Sequence, residues 1–208
     1  MTASTRELRN RNLRTLGGIA ALFLLPLLGA FWLYYGTSWR PSGHLNHGAL
    51  IEPPRPLPQV NLPRVPLIRS PPGRELSSIG PSLFHGTWTL AYVGDGGCDA
   101  DCRRTLYVMR QTWFALGKDM LRVDRVFLVT GNCCAKAFLG RGHGGLTVLD
   151  AAGTPGQRLL GEFPPGDRAH SLFIVDPRGN LMMRYDVRRN PRGLLIDLRR
   201  LLALSDIG

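Results

Sequence analysis

No charged residue lies between Arg14 and Arg40. The gap defines a mostly apolar run, Thr15 to Trp39, whose 25 residues exceed the roughly 20 a helix needs to cross a bilayer. The run also lacks the short apolar core and small-residue end of a cleaved signal peptide. It closes instead on Phe31, Trp32, Tyr34, Tyr35 and Trp39, an interfacial aromatic belt. Pro26 interrupts it, which membrane helices tolerate. Acidic residues are scarce as well, 15 against 26 Lys and Arg. Yet no basic helix with interleaved aromatics accompanies the net charge of +11, and this excludes a nucleic-acid reading. Internal repeats are absent. Cysteine is limited to four residues, Cys98, Cys102, Cys133 and Cys134.

What is present sorts into four segments. Residues 1–14 form a basic tail with Arg6, Arg9, Arg11 and Arg14 against Glu7 alone. That excess holds the N-terminus in the cytoplasm and places everything after the 15–39 helix outside it. In a bacterium this is an inner-membrane protein with a single span and a periplasmic C-terminal domain, in a compartment where disulfides persist. Residues 40–75 hold nine of the 16 prolines and read as an extended spacer. Residues 76–208 carry 17 basic and 12 acidic side chains, a modest excess suited to an anionic lipid surface or an acidic partner.

Within 76–208 the patterning predicts a strand over Thr87–Gly94 and a helix from about Asp101 to Leu116. A second strand follows over Arg125–Val129, which together make a right-handed βαβ unit. "LTVL" (Leu146–Leu149) is a further strand. "SLFIV" and "LMMRY" flank the turn Asp176–Asn180 as a hairpin. Asn190 and Pro191 open a final helix whose apolar face is Leu194, Leu195, Leu198, Leu201 and Leu202. This is an α/β, thioredoxin-like skeleton, tethered by one N-terminal transmembrane helix.

The chemistry centres on "GCDADC". Cys102 falls on the apolar stripe with Leu106, Met109, Trp113 and Leu116, so it faces inward; Cys98 precedes the helix and is expected to be the more exposed thiol. Their α-carbons should lie about 6 Å apart, within bridging range. The helix N-terminus, Arg103 and Arg104 favour a thiolate, and Asp99 and Asp101 oppose it. Three readings are open. A structural disulfide would close a short loop and gain little entropy. A redox dithiol fits the position at the end of a strand. A soft-metal site for Cu(I) fits if the fold supplies an imidazole. Of the five histidines, His44 and His47 are expected solvated in the spacer, His85 precedes the first strand, and His143 sits in a glycine-rich surface loop. His170 stands before "SLFIV", beside the cysteine loop in a thioredoxin-like fold. Cys133 and Cys134 are adjacent, and partly buried free thiols are the preferred reading over a labile disulfide or exchange with the first pair.

"HGTWTLAYVGDGGCDADCRRTLYVM" and "HSLFIVDPRGN" together resemble the two signatures of the Sco (Sco/SenC-like) family of thioredoxin-fold copper chaperones of cytochrome c oxidase assembly. The resemblance implies copper, as Cu(I) or Cu(II), held by Cys98, Cys102 and His170. It also implies delivery to a copper-accepting cytochrome c oxidase subunit at the membrane, with no small-molecule substrate. Asp99 and Arg103 stand where the family has prolines, and "TGNCCAKAF" replaces an acidic, proline-containing stretch, marking a divergent member. Metallochaperone is thus the leading reading over enzyme. The alternative is a thiol–disulfide oxidoreductase with Cys98 and Cys102 as catalytic thiols, acting on an oxidase subunit or another extracytoplasmic partner without stable copper. A third is a tethered scaffold stapled by its cysteines.

Overall fold

The structure is a computed structural model describing residues 3–36, 46–67, 78–79 and 83–205. The last residues of the apolar run, His44 and the proline-rich stretch 68–75 lie outside the described residues. The chain divides into two units, Met1–His44 and Leu45–Gly208. In the first, helix α1 (Ala3–Gly36) takes in the basic tail as well as the apolar run and carries Pro26 within it. Its portion Arg11–Gly36, 26 residues, is long and apolar enough to span a membrane, covering about 39 Å at 1.5 Å per residue.

The second unit is built on a six-stranded sheet. In chain order the strands are β1 (Ala49–Pro56), β4 (Trp88–Gly94), β5 (Val123–Val129), β6 (Leu146–Asp150), β7 (Ser171–Val175) and β8 (Asn180–Asp186). Across the sheet they run β1-β8-β7-β4-β5-β6. A separate two-stranded ribbon joins β2 (Leu62–Pro63) to β3 (Ser78–Ile79). β4, β5 and β6 are parallel, while β7 and β8 form the expected antiparallel hairpin. The helices are α2 (Ala100–Ala115), α3 (Lys136–Gly142), α4 (Thr154–Leu160) and α5 (Pro191–Leu204). The β4-α2-β5 unit, β6, the hairpin and α5 all stand where periodicity places them, and the domain has the thioredoxin-like fold.

Alternation along β4 and β5 sends side chains to two faces. Leu90, Tyr92 and Phe127 meet Leu106 and Met109 of α2 and Leu194, Leu198 and Leu202 of α5. Ala91, Val93, Val126 and Leu128 meet Leu159 and Phe163 on the opposite face, together with Leu57 and Leu62. Those last two contacts correct the expected spacer. Over 46–67 the proline-rich run is extended, but it belongs to the domain. A sheet apolar on both faces needs cover on both, and Leu57, Leu62 and Val65 supply part of it. The prolines are accommodated because β1 is an edge strand pairing only with β8. Its register shifts between Leu50 and Arg55, the stretch that contains Pro53 and Pro54.

His143 also departs from expectation. Only 4% exposed, it packs edge-on to Phe138 with ring centroids 4.9 Å apart. Burial, then the charges of Arg110 and Arg125, push its pKa down to about 4 from 6.5. The unfolded chain therefore binds a proton that the folded chain refuses between those values. This site's contribution is intact above pH 6.5 and falls by up to about 3 kcal/mol as pH drops through the window. Urea unfolding at pH 7 and 4.5 should show this loss in the wild type and a clearly smaller one in His143→Gln; equal losses would refute it.

Candidate functional site

Helix α2 begins where the sequence allows its first turn to be capped. The Asp99 carboxylate accepts a hydrogen bond from Cys102 N at 2.9 Å. Upstream, Asp95 organises the loop: its Oδ1 accepts from Gly97 N at 2.8 Å and its Oδ2 from Asn132 Nδ2 at 2.9 Å. Cys98 N donates to Asp95 O at 3.2 Å, and Cys98 itself takes a left-handed backbone, φ 50°. A non-glycine residue held in this conformation often marks a functional loop.

Cys98 and Cys102 are joined as a disulfide, with α-carbons 5.1 Å apart. Both are buried, Cys98 at 1% and Cys102 at 3% exposure. The expectation that Cys98 is the exposed thiol is corrected: the turn set by Asp95 puts its side chain into the core cluster with Tyr92 and Leu106. Arg103 Nε donates to Cys98 O at 3.0 Å. A cleft of about 600 Å³ opens over the pair, bordered by Tyr92, Asp95, Asp99, Thr130 and Arg168. The Tyr92 hydroxyl is pushed up from its usual pKa by burial, then by Asp99 and Asp101, so it stays protonated and acts as a donor.

His170 closes a 3-10 turn, Arg168–His170, that follows Asp167 in a left-handed conformation. The turn is pinned to the cysteine helix through Ala169, whose carbonyl accepts from Thr105 Oγ1 at 2.9 Å and from Tyr92 OH at 3.3 Å. Arg168 holds its other side by donating to the carbonyls of Leu160, Phe163 and Pro164. The His170 side chain is 16% exposed, and Nε2 lies 3.6 Å from Asp101 Oδ2 and 3.9 Å from Asp167 Oδ1. Among the described residues its buried Nδ1 has no hydrogen-bond partner. The fold thus brings His170 against the first turn of α2, where its near neighbour is Asp101, next in sequence to Cys102. Among the described residues, no three His, Cys, Asp or Glu side chains are gathered as a metal-binding group.

The sequence reading missed Asp95, Tyr92 and Thr105 as parts of this site, and it placed Asp101 only as a charge opposing the thiolate, not as the neighbour of His170. Tyr92 had a signal, since it shares the inward period of β4 with Leu90. Thr105 had one too, lying between Cys102 and Leu106 on the buried face of α2. Asp95 had none, because its partner Asn132 is distant in sequence. Of the remaining histidines, His47 bonds to Asp197 rather than to solvent alone, and His85 is exposed, with its backbone bridged to Arg178. Cys133 and Cys134 are not buried free thiols. They are disulfide-bonded, with Cys133 exposed and Cys134 half-buried.

The fold has known counterparts. Apo Sco1 from Thermus thermophilus superposes with a TM-score of 0.55 at 17% identity, covering 77% of this chain and 99% of that one. Copper-bound ScoI from Bradyrhizobium japonicum gives 0.52 at 17%, covering 69% and 98%. Copper-bound yeast Sco1 gives 0.57 at 13%, covering 73% and 91%. At such identities the likeness establishes the fold. No curated protein sequence matches the chain significantly. The profile described as "transmembrane-like, thioredoxin-like, C-terminal domain" matches residues 88–205. Since that match spans more than half of the 208 residues, the protein belongs to this transmembrane-like, thioredoxin-like family, on a fold it shares with Sco proteins.

Proposed function

We propose that the protein is a membrane-anchored copper chaperone, a divergent Sco member assisting assembly of the copper centre of cytochrome c oxidase. Copper is its cargo, and Cys98, Cys102 and His170 are the donors. The observation that carries this reading is the His170 turn, tied through Ala169 to Tyr92 and to Thr105 of the cysteine helix, with Nδ1 left without a partner among the described residues. A buried polar atom without a partner is costly, and a metal ion would satisfy it. Two thiolates and an imidazole form a soft donor set suited to Cu(I). The bonded pair must first gain two electrons and two protons. The dithiol then takes up Cu(I), losing protons to the thiolate form, and an acceptor withdraws the ion by ligand exchange. α1 would anchor the protein, its arginines on the cytoplasmic side and the domain in the periplasm.

One observation also favours thiol–disulfide exchange with an extracytoplasmic partner: the pair is bonded and lies beneath an open cleft. The two readings separate on one titration. Reduced full-length protein in detergent, titrated against a competing Cu(I) chelator, should bind one ion. His170→Ala should weaken that binding by about 10–100-fold, at least the effect of losing an outer-sphere partner, with the thiol count and redox cycling unchanged. Unaltered affinity would remove His170 from the donor set. Affinity no better than that of an unstructured dithiol would leave thiol exchange as the function.

A further inference from the structure

The disulfide that has to be reduced before it can hold copper is buried at the edge of the cleft of about 600 Å³, with Cys98 only 1% and Cys102 3% exposed. A second disulfide lies on a neighbouring loop and is open to solvent at Cys133. The loops that carry the two pairs are laced together. Gly96 N donates to Gly131 O and Ala135 N donates to Gly96 O, each at 2.8 Å, and Thr130 N donates to Gly94 O at 2.9 Å. The approach is so close that a β-carbon on Gly96 would lie 2.8 Å from Cys133 Cα. Cys134 packs against the same core cluster that contains Cys98 and Cys102.

Arg103 connects the two sites. Its Nε bonds to the Cys98 carbonyl, its guanidinium lies 5.0 Å over the Phe138 ring, and it lines a second cleft, of about 890 Å³, with Cys134, Lys136 and Arg141. Arg103, Lys136 and Arg141 make that cleft cationic, and no carboxylate among the described residues lines it. An attacking thiol that carries carboxylates is the chemistry such a cleft favours.

We propose that Cys133–Cys134 is a second thiol–disulfide site, which accepts electrons from an anionic thiol reductant and passes them inward to Cys98–Cys102. The reductant's thiolate attacks Cys133 Sγ, forming a mixed disulfide and releasing Cys134, which takes a proton. A second reductant thiolate attacks the reductant sulfur of that mixed disulfide; oxidised reductant leaves and Cys133 is protonated. Cys134, as thiolate, then attacks the Cys98–Cys102 bond, freeing one of those thiols. Cys133 attacks Cys134 Sγ, restoring its own disulfide and freeing the other. The net change is one reductant disulfide formed and one Cys98/Cys102 dithiol produced, by ordinary exchange steps. The proposal rests on the reading that Cys98 and Cys102 work when reduced.

The test uses metal-free full-length protein in detergent, with both pairs oxidised and glutathione as the probe. Samples are quenched with acid over time, and free thiols are located by alkylation and peptide mass spectrometry. Label should enter Cys133 and Cys134 first and Cys98 and Cys102 after a lag. Label at Cys98 and Cys102 with no preceding label at the outer pair overturns the relay. Cys133→Ser/Cys134→Ser should slow reduction of the inner pair at least about ten-fold, and an unchanged rate overturns it. Lys136→Glu/Arg141→Glu, which keeps every cysteine, should slow glutathione by about ten-fold while leaving neutral 2-mercaptoethanol unaffected. Equal rates with glutathione remove the anionic-reductant assignment. The copper reading is judged separately on chemically reduced protein: Cu(I) binding without a relay, or a relay without Cu(I) binding, tells which of the two fails.

Discussion

Replacing Cys102 with serine should lower the Cu(I) affinity of the reduced full-length protein by more than about a hundred-fold, beyond the 10–100-fold typical of losing an outer-sphere partner. The exchange is nearly isosteric, so Cys102 can keep its place on the buried face of α2 between the capping Asp99 and Leu106. What changes is the donor, from a polarisable thiolate matched to a soft monovalent ion to a hard hydroxyl that is not. Folding is not the confounding variable. The disulfide spans a sequence separation of 4, and a loop that short contributes only about 2 kcal/mol by chain entropy. Both proteins are in any case compared reduced. Competition against a chelator of known affinity reads the effect directly, and thermal unfolding of the metal-free variant checks the fold. An affinity within a few-fold of wild type would mean that copper, if bound at all, is not held by this pair.

The order of these effects follows from burial and charge. Cys98 and Cys102 lie in the core, whereas His170 sits at its edge, already facing Asp101 and Asp167. Copper would have to compete with those carboxylates for the imidazole but would meet no competitor at Nδ1 among the described residues.

Much of this arrangement was legible in the sequence because it depends on local rules. The period of α2, the β-branched and aromatic runs of β4 and β5, and the Asn190–Pro191 start of α5 are each decided within a few residues. Asn190 Oδ1 does accept from Gly193 N, at 2.9 Å. The placement of His170 against the first turn of α2 was legible only through the fold, since no local pattern links positions so far apart. α3 and α4, seven residues each, are too short to show an amphipathic period. The burial of Cys98 depends on a backbone turn organised by Asp95, and that of His143 on Phe138 and Arg125 closing around a glycine-rich loop that looks solvent-facing in isolation. β1 was hidden by its prolines, which forbid a central strand but not an edge one.

The edge strand is also where the largest loss of stability is expected. Asp197 on α5 is 4% exposed and reaches back 150 residues in sequence to accept from His47 N at 2.6 Å and His47 Nδ1 at 3.0 Å. It accepts as well from Gly48 N at 3.2 Å and from the Tyr185 hydroxyl of β8. Glycine is needed on both sides of this contact. A β-carbon on Gly48 would lie 2.4 Å from the Tyr185 ring, and one on Gly193 would lie 2.5 Å from His47 Cβ. Burial alone would raise the carboxyl pKa, but the hydrogen bonds from His47, Tyr185 and Gly48 outweigh it and hold the value below the ordinary 3.8. Asp197→Ala leaves those donors unpaired in the interior, a loss of about 3–5 kcal/mol from a total that rarely exceeds about 15. Urea unfolding at pH 7 measures it, and hydrogen exchange should show β1 and His47–Gly48 losing protection before β4 and β7. The sign in pH is fixed by the lowered pKa. The contribution is present above 3.8 and fades as pH falls through the folded value, so Asp197→Asn should flatten the acid limb of the stability curve. A loss under about 1 kcal/mol would mean that the bonds from His47 and Gly48 to Asp197 contribute little to holding the edge strand in place. A loss of the expected size means that a fragment starting at residue 76 gives up the edge strand, part of both cores and the His47 and Gly48 donors that Asp197 holds.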